Sequence, residues 1–95
     1  MSRIEKRIQK WRNPAFKQNV PKEDLYSVLD YYFEGKWSYG GQRGSHIFKI
    51  SHPLLKGLPE YGPDGDLTIP VSKGRTVKFF YLRKLIKVID FITEE

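Results

Sequence analysis

The chain contains no cysteine. This removes disulfide cross-links, thiolate nucleophiles and cysteine metal sites, and it fits a reducing cytoplasm. Histidine is scarce, with only His46 and His52 present, and the acids Glu60, Asp64 and Asp66 follow no ligand-like spacing. No metal or other cofactor is expected. No apolar run approaches the length of a membrane span, and the opening Met1-Ser2-Arg3-Ile4-Glu5-Lys6-Arg7 leads into no apolar signal segment. The expectation is a soluble, cytoplasmic protein with no membrane partner.

Acidic residues are also missing where they would matter most. None occurs from Gly35 to Pro59, where Lys36, Arg43, Lys49 and Lys56 lie, or from Leu67 to Ile89, where Lys73, Arg75, Lys78, Arg83, Lys84 and Lys87 lie. The net charge is +6 and the isoelectric point about 9.6. Two acid-free basic segments describe a surface suited to a polyanion such as RNA, although each taken singly also reads as a solvated basic face.

What is present organises into one domain of 95 residues, large enough for a single modest core. Ser2 and Glu5 form a capping-box signature, and Ile4, Ile8 and Trp11 recur at helical spacing, which predicts a helix from Ser2 to Arg12. Asn13 to Val20 reads as a linker, so residues 1–20 form a helical extension to a core of residues 21–93. Pro21 suits the first turn of a second helix, whose stripe of Leu25, Val28, Leu29, Tyr32 and Phe33 ends at Gly35.

Alternation then predicts strands over Lys36 to Tyr39 and Ser45 to Ser51, joined as a hairpin through a glycine-rich turn. His52 to Asp66, rich in proline and glycine, reads as a long loop, either for binding or mobile. Leu67, Ile69 and Val71 mark a third strand, with Pro70 at an edge. Ser72 to Thr76 turns the chain into a basic amphipathic helix from Lys78 to Thr93. The fold class is α+β: an antiparallel sheet with helices on one face.

The organising stretch is Gly40-Gly41-Gln42-Arg43-Gly44-Ser45-His46-Ile47-Phe48. It lacks the GxxxxGK(S/T) spacing of a phosphate-binding loop and precedes a strand rather than a helix. Ser45 beside His46 is no triad, because neighbours on a strand point to opposite faces. A lone imidazole among cations, however, suits RNA cleavage by the RNA's own 2′-hydroxyl. That reaction needs proton transfers that histidine performs and cationic help at phosphorus, here from Arg43 and Lys49. Strand alternation places His46 with Phe48 and Ile50, the setting of a satisfied core or rim histidine. The glycines beside it point the other way, so period and composition leave both readings open. For His52, before Pro53, the structural role is favoured.

Gln42-Arg43-Gly44-Ser45-His46-Ile47-Phe48, with the preceding Leu25 to Phe33 helix, the following Leu67-Thr68-Ile69-Pro70, Lys73-Gly74 and a basic last helix, resembles the HicA-type toxins of toxin-antitoxin systems. The resemblance covers about residues 21–92, and Arg12-Asn13-Pro14 is similar to the leader of one subgroup. It implies a double-stranded-RNA-binding-domain-like α-β-β-β-α sandwich, an endoribonuclease activity against mRNA and a HicB-type antitoxin as partner. The family's catalytic histidine falls on His46.

Beside it, Gln42, Arg43, Ser45, Lys49, Lys73, Arg75, Lys78 and Arg83 are the expected RNA-binding residues. Three departures stand out: Gly41 where relatives often carry a large residue, Ser72 near where some carry a second histidine, and a longer 52–66 link. A non-catalytic RNA-binding module, or a basic surface for an acidic protein, are the alternatives.

Overall fold

The structure is a computed structural model that describes residues 2–41 and 46–93. In chain order its elements are α1 (Arg3–Arg12), β1 (Val20–Pro21), α2 (Glu23–Tyr32), β2 (Trp37–Gly40), β3 (His46–Ser51), β4 (Asp66–Val71), β5 (Thr76–Val77) and α3 (Phe79–Thr93). The capping box forms as expected: the Ser2 hydroxyl accepts from the Glu5 N–H at 3.1 Å, and the Glu5 carboxylate accepts from the Ser2 N–H at 3.4 Å. Ile8 and Trp11 are buried, and they join one continuous core with α2, α3 and the sheet.

Polar contacts then fix α1 in place. Arg12 meets the Asp90 carboxylate with both terminal nitrogens, while Arg7 donates to the Ser27 hydroxyl at 2.8 Å and the Asp24 carbonyl at 3.1 Å. Part of the basic side of α1 is therefore spent on holding helices together.

Strands β2, β3 and β4 pair antiparallel in that order. Register aligns Tyr39 with Phe48 and Phe48 with Ile69, so Trp37, Tyr39, His46, Phe48, Ile50, Leu67, Ile69 and Val71 share one face. Phe48, Ile50 and Ile69 are fully buried there. Tyr26 of α2 lies against Trp37, Tyr39 and Phe48, with ring centroids 5.8, 6.1 and 5.8 Å away. Burying a ring such as Phe48 contributes about 2–3 kcal/mol. The opposite face, with Ser38, Lys49, Thr68 and Pro70, is exposed. Pro70 lies on an edge strand, where a missing N–H is tolerated.

Two expectations need correction. Val20 and Pro21 do not end a linker and begin a helix; they pair with Val77 and Thr76 as a second, two-stranded sheet, and α2 begins at Glu23. The Lys22 N–H also donates to the Arg75 carbonyl at 2.9 Å, so the 73–75 turn is tied to the start of α2. The 52–66 segment, in turn, is no open excursion. It starts with a 3-10 turn over Pro53–Leu55, Leu55 is fully buried, and Leu58 bridges to Gly62.

Candidate functional site

His46 stands at the first position of β3, on the core-facing side but at the end of the sheet, where it is half-buried. Three segments distant in sequence meet around its ring. From β2, Tyr39 stacks on it with centroids 5.6 Å apart and planes within 9°. From the turn before β5, Gly74 closes on its edge: a Cβ on Gly74 would stand 3.3 Å from His46 Cδ2 and 3.8 Å from Nε2. Gly74 also has φ +67°, so a side chain there would be both strained and crowded.

The third segment is the junction of β1 and α2. Lys22 Nζ donates to the Tyr39 hydroxyl at 3.3 Å and lies 4.9 Å from the centre of that ring. The hydrogen bond to Tyr39 holds the Lys22 ammonium above its ordinary range, so the group is charged at neutral pH. Tyr39 thus contacts both the Lys22 ammonium and the His46 imidazole, which stacks on it nearly parallel.

The two ring nitrogens differ. Nδ1 is buried and has no hydrogen-bond partner among the described residues. Nε2 lies on the Gly74 side. The turn that supplies Gly74 carries Lys73 and Arg75, both exposed, and Lys73 adopts φ +52°, which turns the chain sharply at this point. An imidazole beside a turn that carries two exposed cations combines the group types that work on a phosphodiester requires.

The other expected residues are distributed as follows. Gln42, Arg43 and Ser45 lie outside the described residues. Lys49 projects from the opposite face of the sheet to His46, 3.5 Å from the Asp66 carboxylate, so the structure does not bring it together with His46. The Ser51 hydroxyl, followed by Lys49, holds that carboxylate below its usual range. Lys78 is exposed just before α3. Arg83 is exposed but partly engaged, donating to the Pro14 carbonyl at 3.1 Å and lying 5.3 Å from the Phe79 ring centre.

Tyr39 and Lys22 were missed by sequence reasoning, and Gly74 was noticed only as part of a motif. Alternation did place Tyr39 on the face that β3 shares. Lys22 gives no signal, because its role depends on the β1–β5 pairing. His52 has the structural role expected: its Nδ1 accepts from the Leu54 N–H at 3.1 Å, and its ring meets Phe33 edge-on.

Other features lie away from this end of the sheet. A hollow of about 410 Å³ between residues 58–61 and the end of α3 is lined by Leu58, Pro59, Glu60, Tyr61, Lys87, Asp90 and Phe91. It has no histidine and its charges are mixed, which suits neither proton transfer nor a polyanion. Among the described residues no three His, Asp or Glu side chains cluster to hold a metal, and no helix is long and apolar enough to cross a membrane. No protein-family model, curated protein or solved structure matches this chain.

Proposed function

We propose that the protein is an endoribonuclease of the HicA type, the toxin of a cytoplasmic toxin-antitoxin pair, which cleaves mRNA through His46. In this reading helix α2, the β2–β3–β4 sheet and α3 form the double-stranded-RNA-binding-domain-like core, and α1 is the added helix. The observation that carries the proposal is the convergence on His46: its ring stacks on Tyr39, whose hydroxyl accepts from Lys22, and its edge lies against Gly74 in a turn that carries Lys73 and Arg75.

The chemistry follows from these groups. The RNA 2′-oxygen attacks the adjacent phosphorus as its proton leaves, the bond from phosphorus to the 5′-oxygen breaks, and that oxygen takes up a proton. The products are a 2′,3′-cyclic phosphate and a 5′-hydroxyl. His46 Nε2 performs one of the two transfers, and a metal is not required for either. Lys73 and Arg75 neutralise charge on the phosphate, with Arg43 assigned the same role on sequence alone. Lys78 and Arg83 follow the backbone. A HicB-type antitoxin would cover this face.

A non-catalytic RNA-binding module is the second reading. The unpartnered Nδ1 favours it, since catalytic histidines are commonly oriented by an acceptor at the second nitrogen. Induced expression separates the two: wild type is expected to arrest growth and deplete messages, while His46→Ala at equal abundance does neither. Equal arrest by both proteins would remove His46 from the mechanism.

A further inference from the structure

We infer that α3 opens on a stacking platform for an unpaired nucleotide, with Phe80 as the ring on which a base of single-stranded RNA lies. The inference rests on the RNA reading above and deepens it, because it distinguishes single-stranded from duplex substrate. Three aromatic residues stand in a row at the start of α3, with Phe80 5.7 Å from Phe79 and 4.5 Å from Tyr81 between ring centroids. Phe80 is 44 % exposed.

Helical spacing puts Phe80, Arg83, Lys84 and Lys87 on one solvent-facing stripe, opposite the buried Leu82, Leu85 and Ile89. The flanking rings already carry cations: Arg83 lies 5.3 Å from the centre of Phe79 and Lys84 5.6 Å from that of Tyr81. Among the described residues no cation covers Phe80. An open aromatic face framed by cations, in a segment with no acid from Leu67 to Ile89, complements a flexible polyanion whose bases are free to stack. Bases within an A-form duplex are stacked on one another and offer no such face. Chain continuity runs from the platform through Lys78 and β5 to Arg75 and Gly74 at the His46 ring.

Phe91 supplies an internal control. It is also 44 % exposed but borders the hollow of mixed charge, beside Glu60 and Asp90 as well as Lys87, and is not framed by cations alone.

The test is titration of the full chain into a short single-stranded 2′-O-methyl RNA containing 2-aminopurine. The methyl group blocks the attacking oxygen, so binding is read without cleavage. Wild type is expected to bind and quench the 2-aminopurine. Phe80→Leu, which keeps the apolar bulk but removes the π face, is expected to weaken binding about five- to a hundredfold and abolish the quench. Phe80→Trp should retain both, and Phe91→Leu should match wild type.

Equal binding and quenching by Phe80→Leu, or equal affinity for the matching duplex, would overturn the platform while leaving the RNA reading intact. If no RNA binds and an acidic protein occupies the patch instead, both fail.

Discussion

Strand β3 begins at one histidine and is followed directly by the other, each beside a glycine of positive φ, and the two ends do different work. At the far end His52 caps a 3-10 turn through Nδ1, and Gly65 at φ +69° lets the backbone close on it: a Cβ there would stand 2.7 Å from the His52 carbonyl oxygen and 2.8 Å from the Lys56 nitrogen. At the near end His46 Nδ1 has no hydrogen-bond partner among the described residues, and Gly74 makes room for the imidazole itself, not for backbone. The first glycine serves the fold and the second serves the ring. A histidine whose hydrogen bonds are spent on its own chain is a structural part, whereas the His46 ring is positioned by stacking on Tyr39 and by the close approach of Gly74.

Exchanging the glycines breaks this comparison most severely. Gly65→Ala meets rigid backbone and a left-handed conformation, and is expected to destabilise by about 2–5 kcal/mol, from strain and overpacking together. Gly74→Ala meets a side chain that yields, so its cost in stability is about 1 kcal/mol. Its effect is on activity, with RNA cleavage falling about tenfold as the ring is pushed aside. Thermal melts and cleavage rates on both variants check the pair. A Gly65→Ala protein as stable as wild type would contradict the first half, and a Gly74→Ala protein cleaving at full rate the second.

How much of this was legible in the sequence divides along the same line. The capping box, the Leu25 to Phe33 stripe, the β2–β3 hairpin and the basic last helix are written in local periodicity, and all appear. Alternation also put His46 on the core face, which the register confirms. The β1–β5 pair was not legible, since two residues on each side carry no period and their pairing is decided by tertiary packing. The burial of Leu55 and the tight packing at Gly65 were hidden for the same reason, inside a segment whose composition reads as loop. The surroundings of His46 come from β2, the β1–α2 junction and the turn before β5, so no local pattern could assemble them.

Smaller effects sharpen the contrast. His52→Ala removes the acceptor for the Leu54 N–H and the edge-on contact with Phe33, and is expected to lower stability by about 1–2 kcal/mol. Cleavage should be unchanged; a matching loss of rate would mean that the two histidines act together.

The smallest effect lies on the outer face of the sheet. The folded protein holds Asp66 below its usual range, first through Ser51 and then through Lys49, so the unfolded chain takes up this proton more readily. The stabilisation is present above the ordinary aspartate value of about 3.9 and is lost as pH falls through the lower folded value. Asp66→Asn should therefore lower the melting temperature slightly at neutral pH, leave it nearly unchanged below the folded value, and so flatten the acid limb of a plot of melting temperature against pH. An unaltered acid limb would show that the carboxylate is not coupled to folding.

The central claim is that His46 carries proton transfer in RNA cleavage. Purified wild type and His46→Ala, incubated with a single-stranded oligoribonucleotide and chelator, test it directly by the rate and by the chemical nature of the new ends. The account predicts cleavage by wild type to a 2′,3′-cyclic phosphate and a 5′-hydroxyl, and a rate about a hundred- to ten-thousandfold lower for His46→Ala, with its melting temperature close to that of wild type. Equal cleavage by the two proteins would contradict it.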